Sequence, residues 1–204
     1  MNTVGQSVRT MQKSLSNAYV LMGSDIFLQD FFINFLKKKL DENIEVTKFY
    51  AGSDEESSLF NNLSTSSLFD SYRKLVIIKN FFKISKAGKK ELQKIIKGKD
   101  KSITLVMINN DYNASNAFLK DLPRDILIDT RSPFENKIEE WVRYYFRTKK
   151  INIDSRIMKQ YVQYYGDSIY NVINELEKYS LYTFTENDDF ASSVNRKYEN
   201  WHFR

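Results

Sequence analysis

The sequence predicts an α/β protein, a parallel five-stranded sheet flanked by helices and followed by a small all-α region. Two observations carry this. Through the first 130 residues, short apolar β-branched runs alternate five times with stretches at helical spacing. After Thr130 the alternation stops and only helical spacing remains.

The elements follow in order. Val4, Val8, Met11 and Leu15 recur at helical spacing and predict a short leading helix. Residues 19–22, "YVLM", form a brief apolar run before Gly23, the mark of a buried strand. In the helix after it, Leu28, Phe31, Phe32 and Phe35 share a face. Lys37, Lys38 and Lys39 fall in its last turn, where cations suit the helix dipole. "IEVTKFY" (44–50) is the second strand by β-branched content and alternation, and "DEESSLFNNL" (54–63) a short helix. "RKLVIIKN" (73–80) and "SITLVMIN" (102–109) read as strands covered on both faces, with a basic helix between them. "NASNAFLKDL" (113–122) is a short helix and "DILIDT" (125–130) the fifth strand.

Beyond Thr130, "SPFE" (132–135) has the form of a capping box with Pro133 at the first helical position. It opens a helix with Phe134, Ile138, Trp141, Val142 and Tyr145 on one side. Asp154 is placed to cap a second helix carrying Ile157, Met158, Tyr161 and Tyr165, with Gly166 as its C′ residue. A third starts at Asp167 with Ile169, Val172, Ile173 and Leu176 inward, and residues 185–194 read as a fourth. No Pro/Gly/Ser-rich linker and no solenoid-length repeat interrupts the chain.

Composition narrows the chemistry. The 204 residues are 42% hydrophobic and 15% aromatic, enough for a packed core. Cysteine is absent, which removes disulfides, thiolate nucleophiles and thiolate metal sites and fits a reducing, cytoplasmic setting. A single histidine, His202, argues against a His-based triad or metal cluster. The polar first residues contain no signal-peptide h-region, and no apolar run reaches the length of a membrane span. The net charge of +5 permits nucleic-acid contact without demanding it. Glu139, Glu140, Glu175 and Glu177 pair up in sequence but read as helix-surface charges, and Trp141 and the helical tyrosines as packing residues.

The strand–turn–helix "YVLMGSDIFLQDFF" has the form of a phosphate-binding turn. Its chemistry is missing. One glycine, Gly23, precedes Ser24 and Asp25, and no Gly-Lys-Ser/Thr follows. Asp25 brings a carboxylate to where a triphosphate would lie, so Ser24 or Asp25 reads as a helix cap.

Two further stretches invite a functional reading. In "STSSLFD" (64–70) an isolated apolar pair, Leu68 and Phe69, follows small polar residues; it either anchors in a partner's pocket or fills the local core. "KISKAGKKELQKIIKGKDKS" (83–102) holds eight lysines against two acids. Lys86, Lys89, Lys90, Lys94 and Lys97 either contact DNA phosphates or form a solvated helix face, and no aromatic residue interleaves with them to stack bases.

From about Asn17 onward the sequence resembles the delta subunit of bacterial DNA polymerase III, a clamp-loader protein. The resemblance rests on "YVLMGSDIFLQD", "NNLSTSSLFDSYRKLVIIKN", "FENKIEEWVRYYFRTKKINID" and, most specifically, "GDSIYNVINELEKYSLYT". It implies an AAA+-like α/β domain without a functional P-loop over residues 1–130 and a helical lid over 131–198. Residues 199–204 would begin a C-terminal collar domain, so that the chain looks truncated.

The resemblance further implies no ATP hydrolysis, and no cofactor or metal is expected. Where AAA+ ATPases carry paired acids after a strand, this chain has Lys79 and Asn80; where they place a polar sensor, Asn109 and Asn110 read as strand-end turn residues. In delta relatives the position of Leu68 and Phe69 docks on the sliding clamp. Expected partners are that clamp, tau/gamma-type and delta-prime-type subunits, and primed DNA, with no membrane. The rival readings are a degenerate P-loop-type NTPase and a stand-alone nucleic-acid-binding protein.

Overall fold

The computed structural model describes residues 1–40, 44–64, 73–98, 102–113 and 116–185. The chain divides into two compact units between Arg131 and Ser132.

The first unit is built on a parallel sheet of six strands in the order β1-β6-β2-β5-β4-β3. The strands are β1 (Asn2–Thr3), β2 (Ala18–Met22), β3 (Glu45–Tyr50), β4 (Lys74–Lys79), β5 (Ile103–Asn109) and β6 (Leu127–Asp129). The expected count of five is corrected by β1, which pairs with β6 through Asn2↔Ile128 and Thr3↔Asp129. β1 is short for a local reason: Thr3 also caps the next helix. Its hydroxyl accepts the N–H of Gln6 at 3.3 Å and its own N–H donates to Gln6 Oε1 at 2.9 Å.

The helices of this unit are α1 (Val4–Met11), α2 (Ile26–Leu40), α3 (Glu56–Ser64), α4 (Lys86–Lys97) and α5 (Ala117–Lys120). The leading helix stops at Met11, short of Leu15. Every residue of β2 and β5 is buried. That is why these strands read as unbroken apolar runs: both faces are covered. On one face Val20, Met22, Val76, Ile78, Leu105 and Met107 pack with Leu59, Phe81, Leu92 and Phe118. On the other, Tyr19 meets Phe32 of α2 edge to face, with ring centroids 5.2 Å apart.

α2 is rotated from the expected face. Phe27, Leu28, Gln29, Phe32, Ile33 and Leu36 are buried, while Phe31 and Phe35 are half-buried. The helix is apolar round most of its circumference, so periodicity alone sets its orientation weakly.

The second unit holds α6 (Glu135–Thr148), α7 (Ser155–Tyr165) and α8 (Ile169–Thr185), with no strand among the described residues. Ile138, Val142, Phe146, Met158, Val162, Ile169, Val172, Ile173 and Leu176 are buried. Each contributes about 1.5–3 kcal/mol through removal from water. Asp154 caps α7, accepting from the N–H groups of Arg156 and Ile157. Two expectations are corrected. The "SPFE" box does not open α6: the helix begins at Glu135 with Phe134 as N-cap, and Phe134 is 88% exposed rather than inward. Gly166 ends α7 at φ −75°, outside the left-handed region. Glycine is needed there because a Cβ would lie 2.2 Å from the carbonyl oxygen of Val162. The expected helix over 185–194 lies, beyond its first residue, outside the described residues.

Candidate functional site

In a parallel sheet, ligands bind beyond the carboxyl ends of the strands, at the centre where connections diverge. Here that place is the end of β2, between β5 and β6. Gly23, Asn109 with Asn110, and Thr130 with Arg131 converge on it, and Lys79 reaches it from the end of β4.

The turn after β2 is closed by its own chain. Gly23 N–H donates to the carbonyl of Asn109 at 3.0 Å, and Asp25 N–H to that of Thr130 at 3.0 Å. The buried Asp25 carboxylate accepts the N–H of Leu28 at 3.0 Å, capping α2. The carbonyl of Gly23 accepts from Gln29 Nε2 at 2.7 Å and from the Thr130 hydroxyl at 3.2 Å. Gly23 sits at φ +135°, and a Cβ there would lie 2.2 Å from the backbone N of Arg131. The β6 exit thus packs against the turn where a phosphate would need space.

Beyond the turn, Gln29 organises a buried polar network. It is 1% exposed, donates to Asn110 Oδ1 at 3.1 Å and accepts from Lys79 Nζ at 3.1 Å. Burial lowers the Lys79 pKa against the upward pull of Asp30, with Lys48 also lowering it. Asn109 donates to the carbonyl of Asp111 at 2.9 Å. At the rim, the Arg131 guanidinium chelates Asp129, with a shortest distance of 2.6 Å, and lies 3.9 Å from the Tyr112 ring centre.

These groups do not fit a nucleoside triphosphate. Two of the turn's N–H donors point into the protein, a carboxylate occupies the helix start, and the nearby Lys79 amine is bound to Gln29. Among the described residues no three His, Cys, Asp or Glu are placed to hold a metal ion. Asp25 is the cap of the expected pair. Gln29 and Thr130 escaped the sequence reading, and the one local sign was a glutamine set among the apolar residues of α2.

Leu68 and Phe69 lie outside the described residues, which resume at Arg73. α3, whose last residue is Ser64, leads to that segment. Its first residue, Glu56, accepts both the N–H and the hydroxyl of Ser85, at 2.7 and 2.8 Å. Ser85 in turn caps α4 through the N–H of Gly88 at 3.0 Å.

On α4, Leu92 and Ile96 are buried and Lys86, Lys90, Lys94 and Lys97 exposed. The spacing sets these four along one stripe. Lys94 pairs with Glu91 at 2.9 Å, and Lys89 is turned away to donate to the carbonyl of Phe82 at 2.7 Å.

No family model matches the chain, and no curated protein sequence matches it. Solved structures do. The Bacillus subtilis DNA clamp loader delta protein YqeN matches with a TM-score of 0.63 at 14% identity, over 91% of this chain and 58% of that one. The Thermotoga maritima RuvB Holliday junction branch migration motor matches with a TM-score of 0.53 at 11% identity, over 84% of this chain and 57% of that one. Domain III of the Thermotoga maritima replication initiation protein DnaA matches with a TM-score of 0.51 at 12% identity, over 91% of this chain and 84% of that domain. The likeness shows an AAA+-like fold. The chain spans less than two thirds of the first two proteins' length.

Proposed function

We infer that this chain acts as a delta-type clamp-loader subunit, binding and opening a sliding clamp during DNA replication without hydrolysing ATP itself. One observation carries the reading: inside an AAA+-like fold, the phosphate turn is filled by Asp25, Gln29 and Thr130 of the same chain. A scaffold so altered is suited to holding partners rather than turning over nucleotide. The likeness to the Bacillus subtilis clamp loader delta protein supports the choice of partner.

In this account Leu68 and Phe69 supply the docking energy as an apolar plug entering a pocket of the clamp. The Glu56–Ser85 bonds tie the start of α3 to α4 and so steady the helix that leads to that plug. Opening follows only if the open clamp is bound more tightly than the closed one. Tau/gamma-type and delta-prime-type subunits would supply nucleotide-driven motion. The exposed lysine stripe on α4 favours a second contact, with the phosphates of primed DNA.

The test is calorimetric titration of the sliding clamp from the same organism. Leu68→Ala with Phe69→Ala abolishes binding while the melting temperature stays unchanged. Full affinity in that double variant contradicts the docking assignment.

A further inference from the structure

The second unit carries a charge asymmetry that the docking account does not use. Residues 143–159 hold six cations and one carboxylate, Asp154, whereas the rest of 132–185 holds two lysines and six acids. The fold gathers the six at one end of the unit. They lie on the last two turns of α6, the connection to α7, and the first turns of α7. Arg143 Nη1 reaches Ser155 Oγ at 3.3 Å, which sets the end of α6 beside the start of α7.

Two of the six are engaged within the unit. Arg143 pairs with Glu139 at 2.7 Å and Lys149 with Glu177 at 2.6 Å. Arg147, Lys150, Arg156 and Lys159 are exposed and make no ion pair among the described residues. Lys150 sits at φ +60°, a left-handed backbone that turns the chain sharply at the tip.

Helix stability accounts for only half of this. Arg147 lies in the last turn of α6, where a cation is favourable. Arg156 lies in the first turn of α7, the positive end of its dipole, where a cation is unfavourable, and Lys159 lies in the next turn, where the dipole gives it no support. Asp154 is the one carboxylate beside them, so the four exposed cations outnumber the acids at this end.

We propose that this end of the helical unit binds the phosphate backbone of nucleic acid through Arg147, Lys150, Arg156 and Lys159. The neighbouring side chains favour that occupant. Thr148, Asn152, Ser155 and Gln160 are exposed and polar, while Ile151 and Ile153 are half-buried and buried. The one exposed large hydrophobic between residues 143 and 160 is Tyr144, whose ring ends in a hydroxyl. Two of the four cations are arginines, whose planar donors suit phosphate oxygens. The proposal rests on the helical unit alone and stands whether or not Leu68 and Phe69 dock on a clamp.

The test is fluorescence anisotropy of the full chain with a labelled DNA duplex between about 50 and 200 mM salt. Arg147→Gln, Lys150→Gln, Arg156→Gln and Lys159→Gln together lower affinity at least about tenfold and flatten the salt slope by about 3.6, at roughly 0.9 per lost phosphate contact. Removing the same charge elsewhere, with Lys13→Gln, Lys37→Gln, Lys38→Gln and Lys39→Gln, leaves affinity within about twofold, as local contact rather than net charge requires. Circular dichroism checks both folds. Arg147→Lys with Arg156→Lys keeps the charge and weakens binding without changing the slope, giving a reading even if the four-site variant folds poorly. Unchanged affinity in the four-site variant, equal loss in the control, or displacement of the duplex by polyglutamate as readily as by unlabelled DNA overturns the proposal.

Discussion

The Asp25 carboxylate accepts the backbone N–H of Leu28 at 3.0 Å, three residues along its own chain. A helix start attracts anions because its first N–H groups lack partners and its dipole is positive there. α2 meets that demand internally. The turn that precedes it therefore carries the shape of a phosphate site while its donors serve the fold.

Asp25→Ala removes this cap and leaves a buried donor unpaired. The expected cost is about 1–2 kcal/mol of unfolding free energy. Asp25→Asn keeps an acceptor oxygen and costs less. Urea denaturation of the two variants against the parent checks the order.

Gly23→Ala is expected to be the more damaging change. Its φ of +135° disfavours any side chain, and a Cβ would meet the backbone of Thr130 and Arg131 at 2.3 and 2.2 Å. A loss of about 3 kcal/mol or more follows from strain and displaced backbone together. The hydrogen bonds from Asp25 N–H to Thr130 and from the Thr130 hydroxyl to Gly23 open with it, read as faster amide exchange at Asp25 than in the parent.

Much of this was legible before the structure and some could not be. The strands at 74–79 and 103–109 announced themselves because a strand covered on both faces is apolar throughout. Asp25 was legible as a cap because capping is local, spanning three residues. Gln29 was not: its partners Lys79 and Asn110 are 50 and 81 residues away, and no local pattern encodes them. β1 escaped because two residues are too few for a period. Ser132 and Glu135 match a capping box in spacing, yet α6 begins with Phe134 at its N-cap. Pro133, one residue before, satisfied the pattern without setting the start.

Glu177 gives a prediction in pH. Burial raises its pKa, but hydrogen bonds from Lys149 at 2.6 Å and Tyr145 at 2.7 Å outweigh that and hold it below the ordinary glutamate value. The folded state therefore binds this proton less readily than the unfolded chain. Its contribution to stability is complete above the unfolded pKa and is lost as pH falls through the folded one. Carbon NMR of the Glu177 carboxyl should give a midpoint below that of a free glutamate. Lys149→Met should move it upward and make the melting temperature less sensitive to acid.

The most direct test of the central claim, that the phosphate turn is filled by its own chain, is calorimetric titration of the purified protein with Mg-ATP. The account predicts no saturable heat at nucleotide concentrations up to about 1 mM, a binding free energy weaker than about −4 kcal/mol. Saturable micromolar binding that is lost in Gly23→Ala, with the variant still folded, would contradict it.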